Sequence, residues 1–228
     1  MDFPDLPQRV QWLRDEIARH QAKGGWTHPV KIVAVTKTHG PDAVRAAAAA
    51  GLDAVGENRV QEGLAKQERL ADLVIEWHLI GSLQRNKARH AAGRFALIHS
   101  VDRLELAYEL NRRVPEGMKQ PVLVQVNCSG ESQKGGVEPP GLLTLLGEVA
   151  GLDRLELRGL MTMAELTDDP DRQRAAFRRL RVLRDEAVRL GHELPELSMG
   201  MSGDFRVAVQ EGATIVRIGT LLFGERQA

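Results

Sequence analysis

Short apolar runs alternate along this chain with longer stretches in which apolar residues recur at helical spacing. Runs of the first kind predict strands at 31 to 36 (KIVAVT), 52 to 57 (LDAVGE), 76 to 81 (EWHLIG), 95 to 101 (FALIHSV), 121 to 127 (PVLVQVN), 155 to 163 (LELRGLMTM), 196 to 201 (ELSMGM) and 213 to 219 (ATIVRIG). The second kind predicts helices at 41 to 50, 58 to 70, 84 to 92, 103 to 113, 139 to 150, 170 to 190 and 203 to 210. Leu6, Val10, Leu13 and Ile17 add a further helix, 6 to 22, before the first strand. Strands separated by helices pair in parallel, because the crossover connection needs the helix. Eight such units in 228 residues predict a single α/β domain over 1–228, a closed (β/α)8 TIM barrel with an extra N-terminal helix. An open, doubly wound sheet is the other architecture that this alternation allows.

Charge and composition narrow the function. Thirty-one Lys plus Arg balance 31 Asp plus Glu, and aromatics are 4% of the chain, so neither the basic excess nor the stacking inventory of a nucleic-acid binder is present. The single cysteine, Cys128, excludes an intramolecular disulfide and a cysteine-based zinc site, which fits a reducing compartment. No early apolar run resembles a signal peptide and no stretch of about 18 apolar residues could span a bilayer, so a soluble, cytoplasmic protein is expected. Asp-Arg-Leu-Glu-Leu occurs at 102 to 106 and again at 153 to 157, but one copy opens a helix and the other enters a strand, which is chance rather than a repeat. The glycine-rich segment 129 to 141 (SGESQKGGVEPPG) is long enough for a lid or binding loop.

The barrel directs attention to the C-terminal ends of the strands, where such enzymes build their sites, with phosphate sites often in the loops after strands seven and eight. After the seventh comes SMGMSGDF, in which Ser202 reads as the N-cap of a short helix whose free N–H groups suit an anion. After the eighth comes VRIGTLLFGER, where Gly219 and Thr220 offer close backbone approach and a hydroxyl. Ordinary tight turns share this composition. Arg217 shares side-chain parity with Ile215 and Gly219, so it points into the barrel if they do, and a buried arginine needs an acceptor. Lys37, where the first strand runs out, shares parity with Val33 and Val35 on the strand that neighbours the eighth in a closed barrel. It is either a solvated strand-end lysine or a nucleophile at the mouth of a site. An amine, a guanidinium and a phosphate cradle at one mouth suit pyridoxal 5′-phosphate held as a Schiff base on Lys37.

AVTKTH (34 to 39), GEN (56 to 58), WHLIGSLQRNK (77 to 87), LMTM (160 to 163), LSMGMSGDF (197 to 205) and VRIGTLLFGER (216 to 226), in order along nearly the whole chain, resemble the pyridoxal phosphate homeostasis proteins, the YggS/PROSC group. The resemblance implies the barrel of the alanine racemase N-terminal domain, binding of pyridoxal phosphate without an established catalytic activity, and a part in vitamin B6 homeostasis. It implies that Lys37 is the Schiff-base lysine, that Ser202, Gly219 and Thr220 hold the phosphate, and that Arg217 faces the pyridine nitrogen. Asn58, His78 and Met199 are placed near the cofactor. The family often has serine where this chain has Thr36, and both set a small hydroxyl beside the lysine.

Pyridoxal enzymes that remove a proton from an amino acid commonly pair the ring nitrogen with a carboxylate, whereas an arginine stays charged and leaves that nitrogen neutral. A second catalytic base is also missing from the pattern, since the only tyrosine, Tyr108, falls in the helix RLELAYELNRR. Buffering or delivery of the cofactor, with PLP-dependent apo-enzymes as partners, is therefore expected ahead of the alternative, a slow amino-acid racemase using Lys37 alone or with His78. A sugar-phosphate enzyme with a Schiff-base lysine is a third reading. A monomer is expected. Cys128 reads as a small buried hydrophobe, Lys134, Lys87 and Arg85 as solvated lysines and arginine with a possible place at the mouth. The arginine-rich stretch 172 to 190 reads as the solvated face of a helix whose apolar stripe is Phe177, Leu180, Leu183, Ala187 and Leu190. His39, His78, His90 and His99 fall on different elements and predict no metal site.

Overall fold

The computed structural model describes residues 3–131 and 135–224. Lys134 and the last two residues of the VRIGTLLFGER motif lie outside the described residues. A helix, α1 (Leu6–Gly24), precedes eight strand and helix units. The strands are β1 (Lys31–Val35), β2 (Ala54–Glu57), β3 (Glu76–Leu79), β4 (Leu97–Val101), β5 (Gln120–Gln125), β6 (Leu155–Met161), β7 (Glu196–Ser198) and β8 (Ile215–Ile218). The helices that follow them in turn are α2 (Pro41–Ala49), α3 (Val60–Arg69), α4 (Ala88–Ala91), α5 (Leu104–Arg113), α6 (Leu142–Ala150), α7 (Pro170–Arg189), α8 (Phe205–Gln210) and α9 (Thr220–Phe223). Turns of 3₁₀ helix, Arg85–Lys87 and Pro139–Gly141, lead into α4 and α6.

All eight strands pair in parallel in sequence order, and β8 returns to β1 with Val33 opposite Arg217, so the sheet closes and the open doubly wound alternative is overturned. Each predicted strand is present; most are shorter than predicted, and β5 begins one residue earlier, at Gln120. The helix α9 is not predicted by the sequence, in which Gly219 and Thr220 read as a turn after the eighth strand and the residues that follow are assigned to no element.

Closure sorts the apolar residues into two layers. Val33, Ala54, Leu97, Leu123, Met161 and Ile215 form a small cluster inside the barrel. Their neighbours of opposite parity, such as Ile32, Ala34, Val55, Val216 and Ile218, join the larger layer between the barrel wall and the helices. Helix ends follow local rules. Proline opens α2 and α7 at the first turn, Asp169 caps α7 by accepting from the N–H groups of Asp171 and Arg172, and α1 stops at Gly25 in the left-handed region, φ 76°. On α7, Phe177, Leu180 and Ala187 are buried as the stripe requires, while Leu190 lies at its end and is exposed. Its arginines are less free than expected. Arg174, Arg178 and Arg181 all reach the buried carboxylate of Glu211, fastening α7 to the end of α8.

Candidate functional site

The mouth of the barrel is assembled by β1, β2, β7 and β8. Thr36 continues β1 by one step, donating its N–H to Gly56 O at 3.1 Å, and Lys37 then enters a turn closed by the His39 N–H on Thr36 O at 3.0 Å. Val33, on β1, faces the interior, and Lys37, in the turn after that strand, is half-buried. On β8 the same parity holds for Ile215 and Arg217, and Arg217 is 4% exposed. Gly219 sits beside Val35, the last residue of β1. Arg217 and the turn at Gly219 thus lie beside the end of β1, the strand that Lys37 follows.

Ser202 takes a different role from the helix cap expected. The helix α8 begins later, at Phe205, and Asp204 closes the preceding turn by accepting from the Met201 N–H. The Ser202 hydroxyl instead accepts from the N–H groups of Gly219, at 3.2 Å, and Leu221, at 3.4 Å. It therefore joins the two turns and occupies the donors at the start of α9. Gly200 makes the approach possible: its φ is 94°, a Cβ there would meet the Ala208 Cβ at 2.6 Å, and its carbonyl accepts from the Arg217 N–H. Thr220, the first residue of α9, lies in the same turn. Asn58 follows β2, half-buried, with Gly81 packed on its backbone so closely that a Cβ would fall 2.2 Å from Asn58 O.

Arg217 finds its acceptors inside the barrel. Nη1 donates to Ser198 Oγ at 2.6 Å and Nη2 to Thr162 O at 2.9 Å. Burial lowers its pKa to about 10, so it remains a cation at neutral pH. From Ser198 the chain runs downward: His99 Nδ1 lies 2.9 Å from Ser198 Oγ, His99 Nε2 lies 2.9 Å from His78 Nδ1, and His78 Nε2 lies 3.2 Å from Glu76 Oε2, which also accepts from Lys31 Nζ at 2.5 Å. Burial, with His78 and Arg217 adding to it, pushes the His99 pKa well below 6.5, so His99 is neutral. Since Arg217 can only donate, Ser198 Oγ accepts from it and keeps its O–H and a second lone pair for His99. The His78 and Lys31 bonds pull the Glu76 pKa down to about 2, which makes Glu76 the acceptor at the other end.

These positions correct three expectations. His78 faces the barrel floor, lining a cavity of about 280 Å³ with Lys31 and Glu76, and meets Arg217 only through His99 and Ser198. Met199 is fully buried in the apolar layer outside the barrel wall, because it has the parity of Leu197 rather than of Ser198. The Thr36 hydroxyl also turns outward, donating to Glu57 Oε1 at 2.6 Å. Sequence reasoning missed Ser198 and His99, although strand parity places both inside. It missed Lys66 entirely. The Lys66 ammonium is buried and donates to Thr36 O, Glu57 Oε1 and Glu62 Oε1, at 2.8, 2.7 and 2.8 Å. Cys128 is buried and its thiol is pushed up to about 11 by burial, an unreactive environment. Tyr108 lies on the surface, its hydroxyl on Glu148. Among the described residues no group of three or more His, Cys, Asp or Glu is placed to hold a metal, and no helix is long and apolar enough to cross a membrane.

Fold and mouth define a (β/α)8 barrel with a lysine at the end of its first strand, and residues 11–227 match the family described as the alanine racemase N-terminal domain. An alanine racemase from Corynebacterium glutamicum shares the fold at 22% identity and a TM-score of 0.70, over 93% of this chain and 61% of that one. Nearer relatives carry the assignment further. The chain is 50% identical to a pyridoxal phosphate homeostasis protein of Aquifex aeolicus, over 86% of this chain and 87% of the relative, and 49% identical to one of Pseudomonas aeruginosa, over 90% and 89%. PipY of Synechococcus elongatus, solved with PLP bound, superposes at a TM-score of 0.85 with 39% identity, over 96% of this chain and 100% of PipY. The chain belongs to the pyridoxal phosphate homeostasis protein family.

Proposed function

We propose that the protein binds pyridoxal 5′-phosphate at this mouth through Lys37 and holds it for buffering or delivery to PLP-dependent apo-enzymes. The observation that supports the reading is the place of Arg217 and the Gly219 turn beside the end of β1, the strand that Lys37 directly follows. The donor set fits the group. Ser202, Thr220 and the N–H groups of Gly219 and Leu221 offer small hydrogen-bonding groups to a phosphate, and the Ser202 hydroxyl already stands where an anionic oxygen would accept. Lys37 supplies the amine that an aldehyde takes up. When bound, the cofactor supplies an electron-withdrawing ring. Arg217 would be the neighbour of its ring nitrogen, and as a cation fixed by Ser198 and Thr162 O it offers that nitrogen no proton acceptor.

Placement of the two second-base candidates favours binding over turnover. His78 is engaged with His99 and Glu76 below Arg217, and Tyr108 is on the surface of α5. Two experiments test the reading together. Loaded protein mixed with a PLP-dependent apo-enzyme should restore that enzyme faster than spontaneous release allows; restoration no faster than free cofactor would argue against delivery. In D2O, a panel of amino acids should keep their Cα protons in the presence of the loaded protein, and exchange dependent on Lys37 would establish the racemase alternative instead.

A further inference from the structure

The turn that carries Lys37 is strained, and the strain is held from outside the barrel. Thr38 has φ 69°, the only non-glycine residue among those described with a positive φ, and a β-branched side chain disfavours that region. Its N–H donates to Glu62 Oε1 at 2.7 Å. On the other side of Lys37, the Thr36 carbonyl accepts from Lys66 Nζ and the Thr36 hydroxyl donates to Glu57 Oε1. Lys66 Nζ donates to both carboxylates as well. An ammonium has three N–H groups, and here the three acceptors are Thr36 O, Glu57 and Glu62. The two residues flanking Lys37 are therefore tied through one ammonium, with the Lys66 side chain 7% and the Glu57 side chain 0% exposed. The carboxylates are not equivalent. Burial, partly opposed by Lys66 and Thr36, raises the Glu57 pKa. Burial also works against the charge of Glu62, but the bonds from Lys66 and the Thr38 N–H prevail and keep it ionised.

We infer that Lys66 and Glu62 are positioning residues for Lys37: they hold its two neighbouring peptides so that the amine is directed into the mouth before any ligand arrives. This rests on the reading of Lys37 as the cofactor lysine. An ordinary helix-to-barrel ion cluster would need contacts to the strand, but not a carboxylate on the one strained N–H beside the lysine.

The test compares wild type, Lys37→Ala, Glu62→Ala, Glu62→Gln and Lys66→Met. Glu62 is the main probe because it is partly exposed, and its loss leaves the Lys66 and Glu57 pair in place. Two readouts are taken: competitive acetylation of Lys37 in cofactor-free protein, scored by peptide mass spectrometry, and the rate at which added PLP becomes borohydride-trapped on Lys37. Glu62→Ala should keep the wild-type thermal midpoint to within a few degrees yet trap about 10- to 100-fold more slowly, as expected for a misplaced reacting group, with altered acetylation of Lys37. Glu62→Gln, which keeps an acceptor for the Thr38 N–H, should recover most of the rate. Should Lys66→Met fail to fold, the two Glu62 variants still decide. Unchanged trapping and acetylation in Glu62→Ala, with trapping in wild type confined to Lys37, would overturn the positioning role alone. Trapping that persists in Lys37→Ala would overturn the cofactor reading itself.

Discussion

Arg217, on β8, and Lys37, in the turn that follows the neighbouring β1, are held from opposite sides of the barrel wall. Arg217 is supported from within, by a single file of groups that runs through Ser198, His99 and His78 to Glu76 and Lys31 at the floor. Lys37 is supported from without, by Lys66 and its two carboxylates in the layer between β1, β2 and α3. The inner file has an obligate donor at its top and an ionised acceptor at its foot, with Ser198 and neutral His99 between them. The outer cluster is compact and charged, and it leaves Glu57 Oε2 buried without a hydrogen-bond partner. The difference teaches that a fixed cation can be tethered by direct hydrogen bonds to neutral acceptors, whereas a strained peptide turn is held by charged side chains. It also separates the two supports, so each can be broken without touching the other.

The largest effect is expected in the outer cluster. Lys66→Met leaves the wholly buried Glu57 and the ionised Glu62 without their cation, and removing one partner of a buried pair costs about 3 to 5 kcal/mol. Urea unfolding measures it. Because Glu57 can be neutralised by protonation, Glu57→Gln in that background should recover part of the loss, and no recovery would assign the loss to packing instead. In the inner file, Ser198→Ala removes the group between Arg217 and His99, leaving two buried partners unsatisfied. The expected loss is roughly 1 to 3 kcal/mol, with the trapping rate of Lys37 close to wild type, since the outer cluster is intact.

The smallest effect is a pH dependence. The His99 pKa lies well below 6.5 in the folded chain and returns to about that value on unfolding, so the unfolded state binds the proton first. The stability due to neutral His99 is present in full above pH 6.5 and falls by about 1.4 kcal/mol per unit as the pH drops below it. Burial shifts His20 in the same direction, so the informative quantity is the difference between wild type and His99→Gln. The variant should show the shallower slope between pH 6.5 and 5, and equal slopes would mean that His99 takes up a proton while folded.

The inner file was partly legible in the sequence and the outer cluster was not, for a physical reason. Strand parity is a strict period of two, so Arg217 and the inward face follow once the strands are placed. His99 and Ser198 were accessible by the same rule, but neither carries a pattern that separates it from an ordinary strand residue. Parity equally exposes the misassignment of Met199, which alternates with Ser198 and faces the helices. Lys66 is four residues after Glu62 on a helix, a spacing that reads as a surface ion pair. Only the packing of α3 against β1 and β2 turns that pair inward onto Thr36, and charge patterns carry no information about burial of that kind. Thr38 illustrates the same limit: nothing in TKTHG reveals that its φ is positive.

The central claim is that Lys37 is the residue that holds the cofactor, and the most direct measurement is a peptide map of the PLP-treated, borohydride-reduced protein. Among the lysines of the chain, the reduced pyridoxyl group should fall on Lys37 at stoichiometric PLP, with Lys37→Ala losing both the modification and the yellow colour. A protein that remains colourless and unmodified, or one modified at stoichiometric PLP on a different lysine while Lys37 is untouched, would contradict it.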